Sequence, residues 1–349
     1  MRGHAAELPP YIVRLAFARV RAPGPLHARH AIARSAALVI LAACADGGSR
    51  SPAPRPLVMW TAASVARPLR VALDSFERRD GRRVLLESAA SLELARRLAD
   101  LGEAPDVLVV ADERVLTTLL VPRHVAWWVR FASNRIVLAW APPPGGAPPP
   151  DSARWWTALE RPGMAVGRAD PATDPSGYRT LLVFQLAERH YGVPGLARRL
   201  LAAAPPRYIR PREADQIPLL QAGELDYLWT YENLARSAGL RYLRLPAAVD
   251  LGDPAERAAY ARAEVRVPGR ALRDSVTFHG EPIVYALTVP RAAPDPLGGT
   301  RLTAFLVSPA GRAILRAAGM GALDRPEGEG AVPPVVSAQL GAVAPAARP

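Results

Sequence analysis

Two short loops carry serine hydroxyls where a small anion could bind. "TAAS" (Thr61–Ser64) follows one predicted strand, and "SAAS" (Ser88–Ser91) follows the next. Each loop places a serine at the predicted start of a helix, where backbone N–H groups and the positive end of the helix dipole favour an anion. Helix capping by Ser64 and by Ser91 is the alternative interpretation, and the residues themselves leave both open.

A third stretch, "TDPSGYR" (Thr173–Arg179), places a carboxylate beside a predicted helix start. Asp174 is suited to the N-cap position, with proline following at the first helical position, where its missing N–H costs nothing. A carboxylate at the mouth of an anion site would need a further chemical reason. The pattern alone favours capping.

Composition excludes several classes of protein. The 44 basic residues are all arginine, so a phosphate-binding loop that ends in Gly-Lys and a Schiff-base lysine are both excluded. Six arginines and one glutamate lie in residues 1–43, which lowers the formal charge of +12 to +7 for the rest of the chain. The other arginines are scattered among acids, which favours a solvated surface over nucleic-acid binding.

The single cysteine, Cys44, closes an apolar stretch that follows Arg29 and Arg34. Charged residues, a short apolar run and small residues are the order of a secretory signal, and the run is too short to span a bilayer. "LAAC" matches the bacterial lipobox, so we predict a signal peptide over 1–43, lipidation of Cys44 and a tether over 44–56. The alternative is an ordinary cleaved signal with an incidental cysteine.

Short apolar strands alternate with amphipathic helices from Leu57 onward, which predicts an α/β fold with mainly parallel sheets. Ile136–Trp140 is a predicted strand before a Pro/Gly-rich loop, and Glu281–Pro290 contains another. One helix is predicted over Leu302–Ala318. The Pro/Ala/Gly-rich end, 326–349, is predicted to be a flexible tail.

The chain resembles the periplasmic molybdate/tungstate-binding proteins of bacterial and archaeal ABC transporters, in particular the tungstate-type branch. The resemblance covers about 57–325. It rests on these motifs, in order: "AAS" (Ala62–Ser64), "PDVLVVAD" (Pro105–Asp112), "WWVRFASNRIVLAW" (Trp127–Trp140), "DPSGYR" (Asp174–Arg179), "YIRPREAD" (Tyr208–Asp215), "GELDYLWTYENLA" (Gly223–Ala235) and "EPIVYALTVP" (Glu281–Pro290).

The resemblance implies the type II solute-binding fold, in which two α/β lobes close on a ligand in the cleft between them. Lobe I would comprise 57–134 and 282–325, and lobe II would comprise 135–281. The hinge crossings would lie near Ser133–Arg135 and His279–Pro282. The segment before "YIRPRE" is shorter than in many relatives, so the resemblance does not imply a geometry for that edge of lobe II.

The resemblance also implies a ligand set. Ser64 and Ser91 would hydrogen-bond the oxyanion from lobe I, and Tyr231 would donate from lobe II, as would N–H groups around Ser176 and Gly177. Two carboxylates of the tungstate-type branch, which approach the molybdenum or tungsten itself, match Asp174 and Glu213. Hard carboxylate oxygens suit a metal centre that can expand its coordination, which sulfur and phosphorus in sulfate and phosphate cannot do.

Together, the motifs and the resemblance predict a periplasmic, membrane-anchored lipoprotein that binds tungstate or molybdate and delivers it to an ABC transporter permease. We expect no enzyme activity, no cofactor, no nucleic-acid partner and a monomer. The same fold with sulfate, phosphate or a small organic anion is the alternative. A secreted hydrolase is a more distant one, since neither Gly-x-Ser-x-Gly nor His-Glu-x-x-His occurs.

Overall fold

A computed structural model describes residues 55–142, 147–268 and 275–341. The predicted signal peptide and the predicted lipidation site, Cys44, lie outside these ranges.

The strands of the described chain alternate with helices, as the sequence predicts. In chain order they are β1 (Leu57–Ala62), β2 (Val84–Ala89), β3 (Val107–Val110), β4 (Trp127–Ser133), β5 (Ile136–Trp140), β6 (Val166–Ala169), β7 (Ile209–Arg210), β8 (Tyr227–Tyr231), β9 (Arg241–Arg244), β10 (Glu264–Pro268), β11 (Ser275–His279), β12 (Val284–Thr288) and β13 (Gly321–Gly330).

The helices range from one turn to five. They are α1 (Ala66–Asp80), α2 (Ser91–Asp100), α3 (Glu113–Leu119), α4 (Trp156–Leu159), α5 (Pro175–Tyr191), α6 (Leu196–Ala203), α7 (Ile217–Gln221), α8 (Glu232–Ser237), α9 (Ala247–Asp250), α10 (Arg257–Tyr260), α11 (Pro296–Val307), α12 (Pro309–Ala317) and α13 (Pro334–Ser337). Short 3-10 turns include Ala63–Val65 and Glu213–Gln216.

Two sheets organise the chain, and we call each sheet with its helices a lobe. The first lobe contains the sheet β13-β4-β12-β3-β1-β2, and the second contains β7-β6-β8-β5-β9. The chain passes from the first sheet to the second between Ser133 and Ile136, and it returns after the hairpin β10–β11 and before Val284. Apolar strands such as β3 are fully buried between helices.

The predicted α/β fold class is confirmed, but the sheets are mixed rather than mainly parallel. In the first sheet β1 pairs in parallel with β2 and β3, whereas β12 and β4 run antiparallel to their neighbours. In the second sheet β6 is parallel to β8, and β5 is antiparallel to β8 and β9. The antiparallel strands β4, β5 and β12 adjoin the crossings, where the chain leaves one sheet for the other.

The helix predicted over Leu302–Ala318 is two helices. Ser308 ends α11 in an extended conformation and caps α12, since its Oγ accepts a hydrogen bond from the N–H of Gly311 at 3.2 Å. Pro309 follows at the first position of α12, where proline is tolerated and the residue before it is held out of the helical region. The Ser-Pro pair therefore divides what the apolar periodicity suggested was continuous.

The prediction of a flexible tail from 326 is wrong for residues 326–341. Strand β13 pairs antiparallel with β4, from Gly321 opposite Ser133 to Gly330 opposite Trp127, with an irregularity between Ala322 and Glu327. The side chain of Val336 is fully buried in the core. Backbone pairing along an open sheet edge orders this segment despite a composition that is poor in large apolar residues.

Candidate ligand-binding site

The first turn of α5 places a carboxylate between the two lobes. Asp174 is the N-cap of α5, and its Oδ1 accepts from the N–H of Ser176 at 2.9 Å, with Pro175 at the first helical position. The predicted capping role is therefore present. The second oxygen, Oδ2, accepts from the N–H of Glu213 at 3.0 Å, so this carboxylate also ties α5 to the 3-10 turn at Glu213–Gln216.

Glu213 is the second carboxylate of the site, and it is almost completely buried. Its Oε1 accepts from the N–H of Tyr231 at 2.5 Å and from the hydroxyl of Thr230. Among the described residues no hydrogen-bond partner lies within reach of its other oxygen, Oε2. A buried carboxylate oxygen without a partner is unfavourable, so this atom is a natural contact for a ligand or a site for a proton.

Ser176 and Gly177 complete the first turn of α5. The N–H of Ser176 bonds Asp174 Oδ1, and that of Gly177 bonds the Asp174 carbonyl at 3.0 Å, so neither is the free donor that the sequence led us to expect. The hydroxyl of Ser176 is the open group, since it is buried and has no partner among the described residues. A Cβ on Gly177 would lie 2.6 Å from the carbonyl oxygen of Ala169, so only glycine fits there.

The first lobe contributes Ser64 and Ser91, and neither serine is a helix cap. Ser64 lies inside the 3-10 turn after β1, and Ser91 is the first residue of α2 behind the N-cap Ala90. Ser64 Oγ is 3.2 Å from the hydroxyl of Tyr285, and Ser91 Oγ accepts from the N–H of Ala111 at 3.0 Å. Because Ser91 accepts that bond, its own proton is available to an acceptor in the site.

Arg179 links Tyr231 of the second lobe to the end of β3 in the first. One guanidinium nitrogen, Nη1, donates to the Tyr231 hydroxyl at 2.8 Å and to the carbonyl of Ala111 at 2.6 Å. The other, Nη2, lies 2.8 Å from Oδ2 of Asp112. The hydroxyl of Tyr178 donates to the same Oδ2 at 2.6 Å. These buried side chains join the two lobes directly.

Behind the two serine loops, a polar cluster at the crossing holds the lobes in register. Asn134 donates through Nδ2 to Tyr285 at 2.9 Å and to Asn233 Oδ1 at 2.7 Å. Asn233 in turn donates to the carbonyl of Ser64 at 3.0 Å. The rings of Tyr285 and Tyr231 lie 5.9 Å apart. Ser64 is thus hydrogen-bonded to the crossing, and the ring of Tyr285 in this cluster lies against the second-lobe Tyr231.

The electrostatics of the site are dominated by buried acids. Asp174, Glu213 and Asp112 are all buried, with Arg179 as the buried cation beside them. Burial, and then the charge of Asp174, raises the pKa of Glu213 to about 8. Burial also raises the pKa of Asp174, against the effect of its two N–H donors. Glu213 is therefore largely protonated at neutral pH, which lowers the repulsion that the pair would exert on an anion.

The structure thus brings Ser64, Ser91, Asp174, Ser176, Gly177, Glu213 and Tyr231 into one region between the lobes. The N–H of Leu92, next to Ser91, donates to the carbonyl of Thr173, next to Asp174, at 3.2 Å. Sequence reasoning did not assign Asp112 to the site, although it ends "PDVLVVAD" at the carboxyl end of a strand, where ligand-site residues gather.

Arg212, the residue before Glu213, lies at the rim. It forms an ion pair with Glu93 of α2 at 3.1 Å, and both side chains are partly exposed. Within the described ranges no group of three or more His, Cys, Asp or Glu side chains is placed to hold a metal ion. No helix there is long and apolar enough to cross a membrane.

Comparison with known proteins identifies the family. Residues 57–321 match the family described as bacterial extracellular solute-binding protein. The chain belongs to this family. An uncharacterized solute-binding protein of Petrotoga mobilis is 36% identical over 273 residues, which cover 78% of this chain and 85% of the relative. The expectation that the chain is not an enzyme is confirmed by this membership, and the hydrolase alternative is set aside.

Two further relatives have more specific names. The molybdate/tungstate-binding protein WtpA of Pyrococcus abyssi is 28% identical over 331 residues, which cover 86% of this chain and 95% of the relative. A putative ABC transporter molybdenum-binding protein of Haloferax volcanii is 33% identical over 252 residues, covering 72% and 77%. The predicted resemblance to the molybdate/tungstate-binding proteins is therefore confirmed.

Solved structures support the fold. The sulfate-binding protein SubI of Mycobacterium tuberculosis has a TM-score of 0.56 at 15% identity, covering 82% of this chain and 90% of that one. The periplasmic molybdate-binding protein of Azotobacter vinelandii has a TM-score of 0.52 at 18% identity, covering 76% and 98%. The chain therefore has the two-lobed, type II solute-binding fold.

Proposed function

We propose that this solute-binding protein captures tungstate or molybdate in the periplasm and delivers it to the permease of an ABC transporter. The observation that carries the proposal is the pair of buried acids, Asp174 and Glu213: the backbone N–H of Glu213 donates to the Asp174 carboxylate, and one carboxylate oxygen of Glu213 has no partner among the described residues. A site built only for a tetrahedral anion would gain nothing from two acids in their ionised form.

The carboxylates could coordinate the metal of the oxyanion. Molybdenum and tungsten accept additional hard oxygen ligands, so a carboxylate oxygen can approach the metal while the oxyanion oxygens take hydrogen bonds. Glu213 Oε2 has no other partner, and Asp174 keeps lone pairs beyond its two N–H donors. Asp174 and Glu213 would therefore contact the metal of the cargo.

Donors around the carboxylates suit the oxyanion oxygens. Ser64 and Ser91 would donate from the first lobe, and Ser176 and Tyr231 from the second. The hydroxyl of Ser176 is unpartnered, and Ser91 and Tyr231 accept hydrogen bonds that leave their protons free. Gly177 would let α5 pack closely against the backbone at Ala169 rather than supply an N–H.

The carboxylates would also select against common anions. Sulfate and phosphate have no free coordination position at sulfur or phosphorus, so they would gain no bond from an ionised carboxylate at this site and would only be repelled by it. The names of the Pyrococcus and Haloferax relatives, molybdate/tungstate-binding and molybdenum-binding, support the same ligand class. We further propose that the protein is anchored to the membrane through a lipid on Cys44 and acts as a monomer without a cofactor.

Thermal unfolding of the full chain with tungstate, molybdate, sulfate and phosphate, each added separately, tests the proposal. A ligand present at a hundredfold excess over its Kd adds about 2.7 kcal/mol to the free energy of unfolding, which raises Tm by a few degrees. We expect this shift with the two metal oxyanions alone. A rise in Tm with sulfate or phosphate instead, or no rise with any of the four anions, would contradict the proposed function.

A further inference from the structure

Arg179 is the buried group that contacts both the ligand-binding tyrosine and the opposite lobe. Its side chain is 3% exposed, and it lies on the second turn of α5 behind the carboxylate Asp174. Its partners are Tyr231 of its own lobe and Ala111 and Asp112 of the first lobe. Although Arg179 lies close in sequence to Asp174, its carboxylate partner is Asp112.

The contact with Tyr231 fixes the direction of a proton. A guanidinium has donors only, so the Tyr231 oxygen must be the acceptor in the 2.8 Å contact with Nη1. The phenol proton of Tyr231 has no acceptor among the described side chains and backbone groups. Because one lone pair is taken by Arg179, that proton is directed to whatever the site holds.

The contact with Asp112 depends on the two lobes being together. Asp112 follows β3 and caps α3, where its Oδ1 accepts from the N–H of Arg114 at 2.9 Å. Its Oδ2 faces the second lobe and receives both Arg179 and the Tyr178 hydroxyl. Separating the lobes would leave Arg179 without its carboxylate and its first-lobe carbonyl.

We propose that Arg179 is a positioning residue that ties Tyr231 to the first lobe, so that the tyrosine hydroxyl is directed at the bound anion only when the lobes are closed on each other. The inference rests on the proposed function, since it concerns the same site. It adds a coupling between lobe closure and one ligand contact, carried by the chain Asp112, Arg179 and Tyr231.

A double-mutant cycle tests this coupling. Tungstate affinity is measured by calorimetry for the full chain, Arg179→Gln, Tyr231→Phe and the double variant. We expect Arg179→Gln to weaken binding roughly 5- to 150-fold, the usual range for coupled sites. If Arg179 acts through Tyr231, that factor is smaller by roughly fivefold or more in the Tyr231→Phe background. Equal factors in both backgrounds would overturn the inference.

Asp112→Asn provides the same test without removing the arginine. Asparagine still caps α3, but its amide would place N–H groups toward Arg179, so the ion pair between the lobes is lost while the cap and the bond from Arg179 to the Ala111 carbonyl remain. We expect weaker tungstate binding and, at saturating tungstate, a larger radius of gyration in X-ray scattering. Wild-type affinity and compactness in Asp112→Asn would contradict the proposal even if Arg179→Gln failed to fold.

The matched control is another ion pair between the lobes. Glu93→Gln breaks the exposed pair with Arg212 at the rim, and exposed pairs stabilise weakly, so binding should change by less than about fivefold. If Glu93→Gln lost as much tungstate affinity as Asp112→Asn, then breaking any ion pair between the lobes would weaken binding. That outcome would overturn the special role of Arg179. A wild-type chain that binds no metal oxyanion would remove the proposed function itself, which is a separate outcome.

Discussion

The backbone N–H of Glu213 donates to the side-chain Oδ2 of Asp174, across 3.0 Å and 39 positions of sequence. The bond fixes one carboxylate against the backbone of the residue that bears the other. It also orients the pair: Asp174 is held by two N–H groups, whereas Glu213 keeps Oε2 free. The two acids are therefore unequal, and Glu213 is the one that ligand binding should change more.

Replacing Glu213 by Gln tests the role of the free oxygen. Glutamine keeps the size and one carbonyl oxygen but cannot act as an anionic ligand. Loss of a buried charged contact costs about 2–5 kcal/mol, so tungstate affinity should fall roughly 30-fold or more by calorimetry. Asp215→Asn, an exposed acid in the same 3-10 turn, is the control and should bind normally. Unchanged affinity in Glu213→Gln would rule out contact with the metal.

The same residue predicts how stability depends on pH. The pKa of Glu213 is raised in the folded protein from 4.5 to about 8, so the folded state binds more protons than the unfolded state between these values. The free energy of unfolding without ligand should therefore fall as pH rises from about 4.5 to about 8. Denaturant melts at half-unit pH steps would measure this slope. Glu213→Gln should flatten it, and an equal slope in the variant would assign the effect to other groups.

Ligand binding should release a proton. If the metal of the oxyanion takes the ionised carboxylate of Glu213, the proton held below pH 8 must leave, so about one proton is released per ligand near pH 6.5. Calorimetry in buffers of different ionisation enthalpy counts this proton directly. Affinity should rise with pH up to about 8. No release would mean that Glu213 stays protonated and donates a hydrogen bond to the oxyanion.

Much of this site could be predicted from the sequence because its residues lie at element ends. Asp174 precedes Pro175 in a helix-start pattern, and Ser64 and Ser91 come shortly after the ends of the strands β1 and β2. Those signals are local, so they give positions along the chain. The pairing of Asp174 with Glu213 was reached only through the resemblance to known proteins, because no local pattern relates residues 39 positions apart.

What could not be predicted depends on contacts between distant elements. Arg179 joins Asp112 because β3 and α5 meet across the lobe boundary, and nothing near Asp112 indicates that partner. The antiparallel course of β12 and the pairing of β13 with β4 likewise follow from where the chain returns to the first sheet. Composition suggested a tail there, because a strand with few apolar residues gives no periodic signal.

Gly177 offers a test of how closely α5 must approach the loop before it. A methyl group at this position would lie 2.6 Å from the Ala169 carbonyl oxygen, which is backbone and cannot rotate away. Gly177→Ala should therefore lower the free energy of unfolding by about 1–3 kcal/mol and shift the first turn of α5, weakening tungstate binding as well. Chemical denaturation and calorimetry on the same samples measure both effects.

The control is Gly192→Ala at the other end of α5, where φ is +61° and no atom of another part of the described chain lies within 4 Å of the added methyl. That change should also lower stability, by about 1 kcal/mol from backbone strain, yet leave affinity unchanged because the site is distant. If both alanine variants lose stability and neither loses affinity, the approach of α5 at Gly177 serves folding alone. Loss of affinity confined to Gly177→Ala would tie that approach to the positions of Asp174 and Ser176.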